Sequence, residues 1–162
     1  MIKDVIIHDD GGGVMDKSVV GAAQAAFAER TKGVASVSEH TKNAQAIAKA
    51  WRSAVYGLGP DRFQLEALVA PELDQKIDIV DLEAGCAYEF KVSGNNAPAE
   101  FYKDIVKVIM WNQRRANKLF RLVFITEEKC GKPFLDAPMP RAYIGYLAQQ
   151  GLKVSVEYVR HG

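Results

Sequence analysis

Two neighbouring segments decide the fold: Lys76-Ile77-Asp78-Ile79-Val80-Asp81-Leu82 and Cys86-Ala87-Tyr88-Glu89-Phe90-Lys91-Val92, joined by Glu83-Ala84-Gly85. Both carry the two-residue alternation of a strand, and the glycine-containing link predicts a hairpin. Side chains on a strand point alternately to opposite faces. With an even loop, Ile77, Ile79, Tyr88, Phe90 and Val92 share an apolar face. Asp78, Glu89 and Lys91 then gather on the other face, with Asp78 opposite Lys91. An odd loop destroys this partition, because a one-residue slip turns a whole strand over.

The flanking sequence supplies the rest of a sheet and its helices. Residues 63–69 read as a strand before the hairpin. Residues 98–117 read as a helix after it, with Pro98 in the first turn. The nearly continuous apolar run over 119–126 suits a strand buried on both faces, as central parallel strands are. Residues 127–140, with Gly131, Pro133, Pro138 and Pro140, read as a loop of the kind that can carry specificity. A helix over 141–150, capped by Gly151, and a strand over 153–159 follow. Upstream, Ala44, Ile47, Ala48, Trp51, Val55 and Leu58 form one apolar stripe at helical spacing. Ser36 and Glu39 match a capping box at its start, and Gly57, Gly59 and Pro60 end it. Val19, Val20, Ala23 and Phe27 predict an earlier helix over 16–30. Residues 2–8 read as a short strand or arm, and Gly11-Gly12-Gly13 as a turn without the Gly-Lys-Ser/Thr of a phosphate loop.

The predicted class is α/β, with a mixed central sheet flanked by helices. The 162 residues fit one domain: an N-terminal extension over 1–37, a core over 38–126, and a C-terminal helix and strand over 127–162. Hydrophobic and charged contents of 48% and 25% are those of a globular chain and exclude disordered or collagen-like classes. No run of about 20 apolar residues predicts a membrane span. The first residues lack a signal-peptide pattern, so a cytoplasmic location is expected. Cys86 and Cys130 are far apart, with no Cys/His cluster, which disfavours a disulfide framework or a thiolate zinc site. The net charge of +1 neither demands nor excludes nucleic acid. His8, His40 and His161 are scattered, and His40 falls near the apolar phase of its helix.

Two carboxylates and a lysine on one strand face have chemical meaning. Hard carboxylate oxygens can hold Mg²⁺, which keeps several waters and can touch a phosphate. The metal acidifies a water and neutralises phosphoryl oxygens, and a lysine beside it can stabilise developing charge. Asp78, ten intervening residues and then Glu89-Phe90-Lys91 resembles the PD-(D/E)XK nuclease signature. That superfamily includes restriction endonucleases and repair or recombination nucleases, built on a helix, three strands, a helix and a strand.

The resemblance covers about half the chain. It implies a restriction-endonuclease-like core, Asp78 and Glu89 as ligands of Mg²⁺ (Mn²⁺ as substitute), and Lys91 as the catalytic lysine. It favours DNA over RNA, in an endonuclease of restriction or defence type, and leaves room for a homodimer formed through residues 1–37. Ile77 stands where the signature has proline. A further acid on the first core helix would be Glu39, which the capping box also explains. Glu66 on the first strand is another candidate. Lys103, Lys107, Arg114 and Lys118 form a stripe on one helix that could touch phosphates but reads better as a solvated face. The same hairpin residues would also serve as an ordinary salt bridge. A non-catalytic nucleic-acid-binding or assembly module, or an RNA-cutting toxin domain, remain alternatives to the DNA nuclease.

Overall fold

A computed structural model describes residues 12–31, 37–92 and 96–161, without the side chains of 12 and 37–42. The expected strand at 2–8, the Ser36–Glu39 capping box, and the side chains of Glu39, His8 and His40 lie outside the described residues. The elements run α1 (Gly12–Thr31), α2 (Val37–Leu58), β1 (Phe63–Ala70), β2 (Leu73–Asp81), β3 (Cys86–Lys91), α3 (Ala97–Arg114), β4 (Arg121–Glu127), α4 (Glu128–Leu135), α5 (Pro138–Gln149) and β5 (Lys153–Val159). The chain is therefore α/β. No helix among the described residues is long and apolar enough to cross a membrane.

One mixed sheet has the strand order β1-β2-β3-β4-β5. β1, β2 and β3 form an antiparallel meander, and β4 and β5 add in parallel. Parallel addition needs a crossover, which α3 supplies between β3 and β4. The apolar run after α3 is covered on both sides as expected: Leu119, Leu122, Val123, Phe124 and Ile125 are all buried. Leu122 and Phe124 face α3, while Val123 and Ile125 face α1 and α2.

The α1–α2 layer buries Val19, Ala23, Phe27, Ile47, Trp51 and Val55 against the sheet. Leu58, expected in the α2 stripe, is the last residue of the helix and is instead half exposed. The expected turn at Gly12-Gly13 is instead the start of α1. Polar ties fix this layer as well. Trp51 Nε1 donates to Val19 O at 3.1 Å, the Tyr88 hydroxyl donates to Asp16, and Arg121 pairs with the same Asp16.

On the other face, residues 127–140 do not form the expected loop. They begin with α4, which contains both Gly131 and Pro133. Gly131 marks a close approach: a Cβ there would lie 2.3 Å from Thr126 Cγ2 on β4. The residue that looks like a helix breaker is the one that lets α4 rest on the sheet. Pro138 sits in the first turn of α5, where its missing N–H costs no helical hydrogen bond. Gly151 ends α5 with φ of 91°. Gly151 N–H donates to Ala148 O at 3.1 Å and Leu152 N–H to Leu147 O at 2.9 Å, the paired bonds of a Schellman cap.

The contact at Gly131 is testable. Gly131→Ala should destabilise the fold by about 1–3 kcal/mol, the usual scale of overpacking. Adding Thr126→Ser removes the opposing methyl and should recover part of the loss. Urea unfolding of the two variants measures both effects; an alanine variant as stable as the parent would show that α4 has room to move.

Candidate active site

Asp78 lies where two strand ladders fail together. β1 pairs Leu65 with Ile79 and Ala67 with Ile77, skipping Glu66 and Asp78. Glu66 takes the left-handed φ of 46°, which costs a residue with a Cβ about 1–2 kcal/mol. Across this row the strands change faces. Leu65 and Ile79 pack towards α1 and α2, whereas Ala67 and Ile77 pack towards α3. The expectation that Ile77 and Ile79 share one face is corrected accordingly: the kink at Glu66 and Asp78 interrupts the alternation.

The β2–β3 register also differs from the expected one. Ile79 pairs with Tyr88, Val80 with Ala87 and Asp81 with Cys86, so one more step sets Asp78 opposite Glu89 rather than Lys91. The shift is by two residues, which preserves parity and keeps all three polar side chains together. The hairpin turn selects this register. Asp81 is buried, accepts from Glu83 and Ala84 N–H at 3.1 and 3.0 Å, and holds Arg62 through two hydrogen bonds.

Beyond Ile79, side-chain oxygens replace the missing carbonyl acceptors. Asp78 N–H donates to Glu89 Oε1 at 3.3 Å, and Phe90 N–H donates to Asp78 Oδ2 at 3.1 Å. Each acid thus accepts a backbone hydrogen bond from the other's strand, which fixes the two carboxylates face to face.

Two lysines complete the cluster. Lys91 Nζ donates to Glu89 Oε2 at 3.2 Å, and Lys107 Nζ donates to Glu89 Oε1 at 2.7 Å and to Lys76 O at 2.9 Å. Lys91 Nζ also lies 4.0 Å from Asp78 Oδ2, 3.7 Å from Glu100 Oε2 and 3.7 Å from Asp104 Oδ2. Arg52 of α2 approaches Asp78 Oδ1 at 3.9 Å. Asp104 Oδ1 is ion-paired with Lys107 Nζ at 2.8 Å, and Asp104 Oδ2 accepts no hydrogen bond among the described residues.

Burial, reinforced by Asp78 and Asp104, pushes the Glu89 carboxyl well above its ordinary value despite both lysines. Burial also raises Asp104, against the pull of Lys91 and Lys107. Desolvation works against the charged form of Lys91, yet Glu89, Asp78, Asp104 and Glu100 outweigh it and hold this ammonium above its usual range. Lys107 is raised in the same way, desolvation being outweighed by Glu89 and Asp104. Both lysines are therefore cations at neutral pH.

The three residues singled out on the hairpin, Asp78, Glu89 and Lys91, come together. Glu66 is exposed and does not join them. The basic stripe divides. Arg114 pairs with Glu72, Lys118 donates to Asn112 and Arg115 carbonyls, and Lys103 is exposed, whereas Lys107 turns inward and is buried. Asp104, Glu100 and Arg52 are the site residues that sequence reasoning missed, and Lys107, read as part of a solvated face, belongs with them. One signal for them exists. At helical periodicity Asp104 projects between Val108 and Trp111, inside the apolar arc of α3, where an acid needs a buried partner.

Among the described residues, no three His, Cys, Asp or Glu side chains converge as a ready ligand set. Asp78 and Glu89 are the pair that could hold a cation. Two carboxylates suit Mg²⁺, which takes one or two from a protein and completes its shell with waters and phosphate. All the acidic donors of the cluster are hard oxygens, and the carboxylates of Asp78, Glu89, Glu100 and Asp104 outnumber the cations Arg52, Lys91 and Lys107 by one. The donor set therefore fits Mg²⁺. The Asp78 and Lys91 side chains reach solvent, at 20% and 21% exposed, while Glu89 and Asp104 lie fully buried behind them. The 530 Å³ recess between α3 and α5 lies elsewhere, lined by Tyr143, Tyr146 and Phe120. No family model, curated protein or solved structure matches this chain.

Removing a lysine should expose how far the cluster depends on charge balance. Lys107→Met would leave Glu89 and Asp104 buried with one cation fewer. Breaking a buried pair from one side costs roughly 3–5 kcal/mol, read as a lower midpoint in urea. A loss below about 1 kcal/mol, the scale of an exposed pair, would mean that Lys107 is not a buried counter-ion in solution.

Proposed function

We propose that this chain is a Mg²⁺-dependent nuclease with a restriction-endonuclease-like core, hydrolysing phosphodiester bonds in DNA. The observation that carries the reading is the opposition of Asp78 and Glu89 at the break in the sheet, with the Lys91 ammonium 4.0 and 3.2 Å from them. The order helix, three strands, helix, strand from α2 to β4 supports it, and so does the pairing of those strands.

In this reading Asp78 and Glu89 hold the metal, and the backbone N–H groups of Phe90 and Asp78 fix the direction of their oxygens. When bound, the metal would acidify a water and neutralise charge on the phosphate. Lys91 is held protonated by its acidic neighbours, so it is a donor and not a general base. It orients the attacking water or stabilises charge that grows on the phosphoryl oxygens. Lys107 keeps the Glu89 carboxylate from turning.

The reading predicts divalent-ion-dependent cleavage of plasmid DNA. Asp78→Asn and Glu89→Gln keep the amide oxygen that accepts the opposing N–H but lose charge. Both should lose Mn²⁺ binding in calorimetric titration and cleavage in the digest, with circular dichroism unchanged. Total RNA digested in parallel distinguishes an RNA-cutting toxin domain. Cleavage that persists in both variants would place the chemistry elsewhere.

A second prediction concerns rate against binding. Groups that act in the transition state affect turnover more than affinity. Lys91→Ala should keep DNA binding in Ca²⁺ and lose roughly 10²-fold or more in single-turnover rate. Lys91→Arg should also be impaired, because a forked guanidinium does not replace a compact ammonium. A parent rate in Lys91→Ala would remove it from the chemistry.

One observation favours a second reading, a non-catalytic binding or assembly module. Glu89 is already neutralised by two lysines, a closed arrangement that needs no metal. Failure of Mn²⁺ to bind the unaltered chain would decide for it.

A further inference from the structure

Lys91 Nζ lies within 4.0 Å of four carboxylates: Asp78, Glu89, Glu100 and Asp104. A divalent cation seated on Asp78 and Glu89 would stand beside this ammonium. Like charges that close repel, and Glu89 Oε2 cannot serve both. The lysine therefore needs another anionic partner if it is to remain in the site once the metal enters.

The cluster offers one with a vacant acceptor. Asp104 is fully buried; its Oδ1 is ion-paired with Lys107 Nζ at 2.8 Å, and its Oδ2 accepts no hydrogen bond among the described residues. Leaving a buried acceptor unmade is costly, so Oδ2 has something to gain from a donor. Its Oδ2 lies 3.7 Å from Lys91 Nζ. Closing that gap to the roughly 2.8 Å of a charge-assisted hydrogen bond needs a movement of under about 1 Å at the tip of a flexible side chain. Glu100, one turn earlier on α3, lies at the same 3.7 Å but is partly exposed, and water screens it. Lys107 Nζ, already bound to Glu89 and Lys76 O, flanks Asp104 Oδ1 and leaves Oδ2 to Lys91.

We infer that Asp104 is a positioning residue that receives the Lys91 ammonium when a divalent cation occupies Asp78 and Glu89; the inference rests on the metal-dependent reading above. Asp104 thereby lowers the cost of admitting the metal and keeps Lys91 at the phosphate-facing side of the cluster.

The test is a double-mutant cycle on Mn²⁺ affinity in the full chain, using the parent, Asp104→Asn, Lys91→Met and the combined variant. Asp104→Asn should weaken Mn²⁺ binding at least about fivefold, the lower end of site-to-site coupling. In the Lys91→Met background the same change should cost less than about twofold, the scatter of independent sites. Equal losses in both backgrounds would overturn the inference, since Asp104 would then act on the metal directly or through the general field. No loss in either would overturn it too. Absence of Mn²⁺ binding by the parent would defeat the metal-dependent reading itself, and this inference with it. If Asp104→Asn does not fold, a crystal structure of the unaltered chain with Ca²⁺ decides. Lys91 Nζ should hydrogen-bond Asp104 Oδ2 and leave Glu89; an ammonium still on Glu89 Oε2 beside the ion refutes the exchange.

Discussion

The Glu89 carboxylate, buried between Lys107 and Lys91, is the interaction on which the rest of this structure depends. A carboxylate removed from water is stable only with partners on most of its lone pairs. Here they come from three directions: an ammonium on α3, an ammonium on β3 itself, and the Asp78 N–H of β2. The one side chain therefore joins the hairpin to the crossover helix. Phe101, Ile105, Val108 and Trp111 anchor α3 on the sheet, but apolar contact alone is indifferent to small slides and rotations. The Glu89–Lys107 bond fixes where along the sheet the helix stops.

The acids are held apart from regular pairing, which is what makes them available. In an uninterrupted ladder Asp78 would exchange backbone hydrogen bonds with Glu66 on β1, and Phe90 N–H would reach a carbonyl of β2. The left-handed turn at Glu66 and the swivel of β2 remove those bonds. The carboxylates then take up the stranded N–H groups. A local failure of the sheet thus becomes a source of rigid, directed oxygens, and the strain is placed at the point where chemistry is proposed.

Much of this architecture was legible because burial leaves a mark in the sequence. The run from Leu122 to Thr126 had to be covered on both sides, and it is, while Phe120 just before it stays exposed. The face shared by Asp78, Glu89 and Lys91 followed from alternation. The absolute register did not, since a slip of two residues leaves every side chain on its face, and hydrophobic pattern cannot register it. What sets it is Asp81, whose carboxylate organises the turn by bonds to Glu83 and Ala84. α4 was hidden by Gly131 and Pro133, which are breakers by propensity; the closeness of Thr126 reverses the meaning of the glycine. Lys107 was hidden among solvated lysines of similar helical phase, and only its relation to Asp104, three residues earlier, sets it apart.

The kink at Glu66 also bears on how one copy of this chain meets another. β1 is an outer strand of the sheet, and an outer strand presents unpaired amides and carbonyls that can recruit a neighbouring polypeptide. A straight β1 of eight residues would offer a continuous template. With Glu66 in the left-handed conformation and its ladder partner skipped, the outward row of donors and acceptors changes direction midway. A second strand could follow it for only about half its length before losing step. The irregularity that shapes the acidic cluster on the inner side thus blunts the outer side against edge-to-edge association.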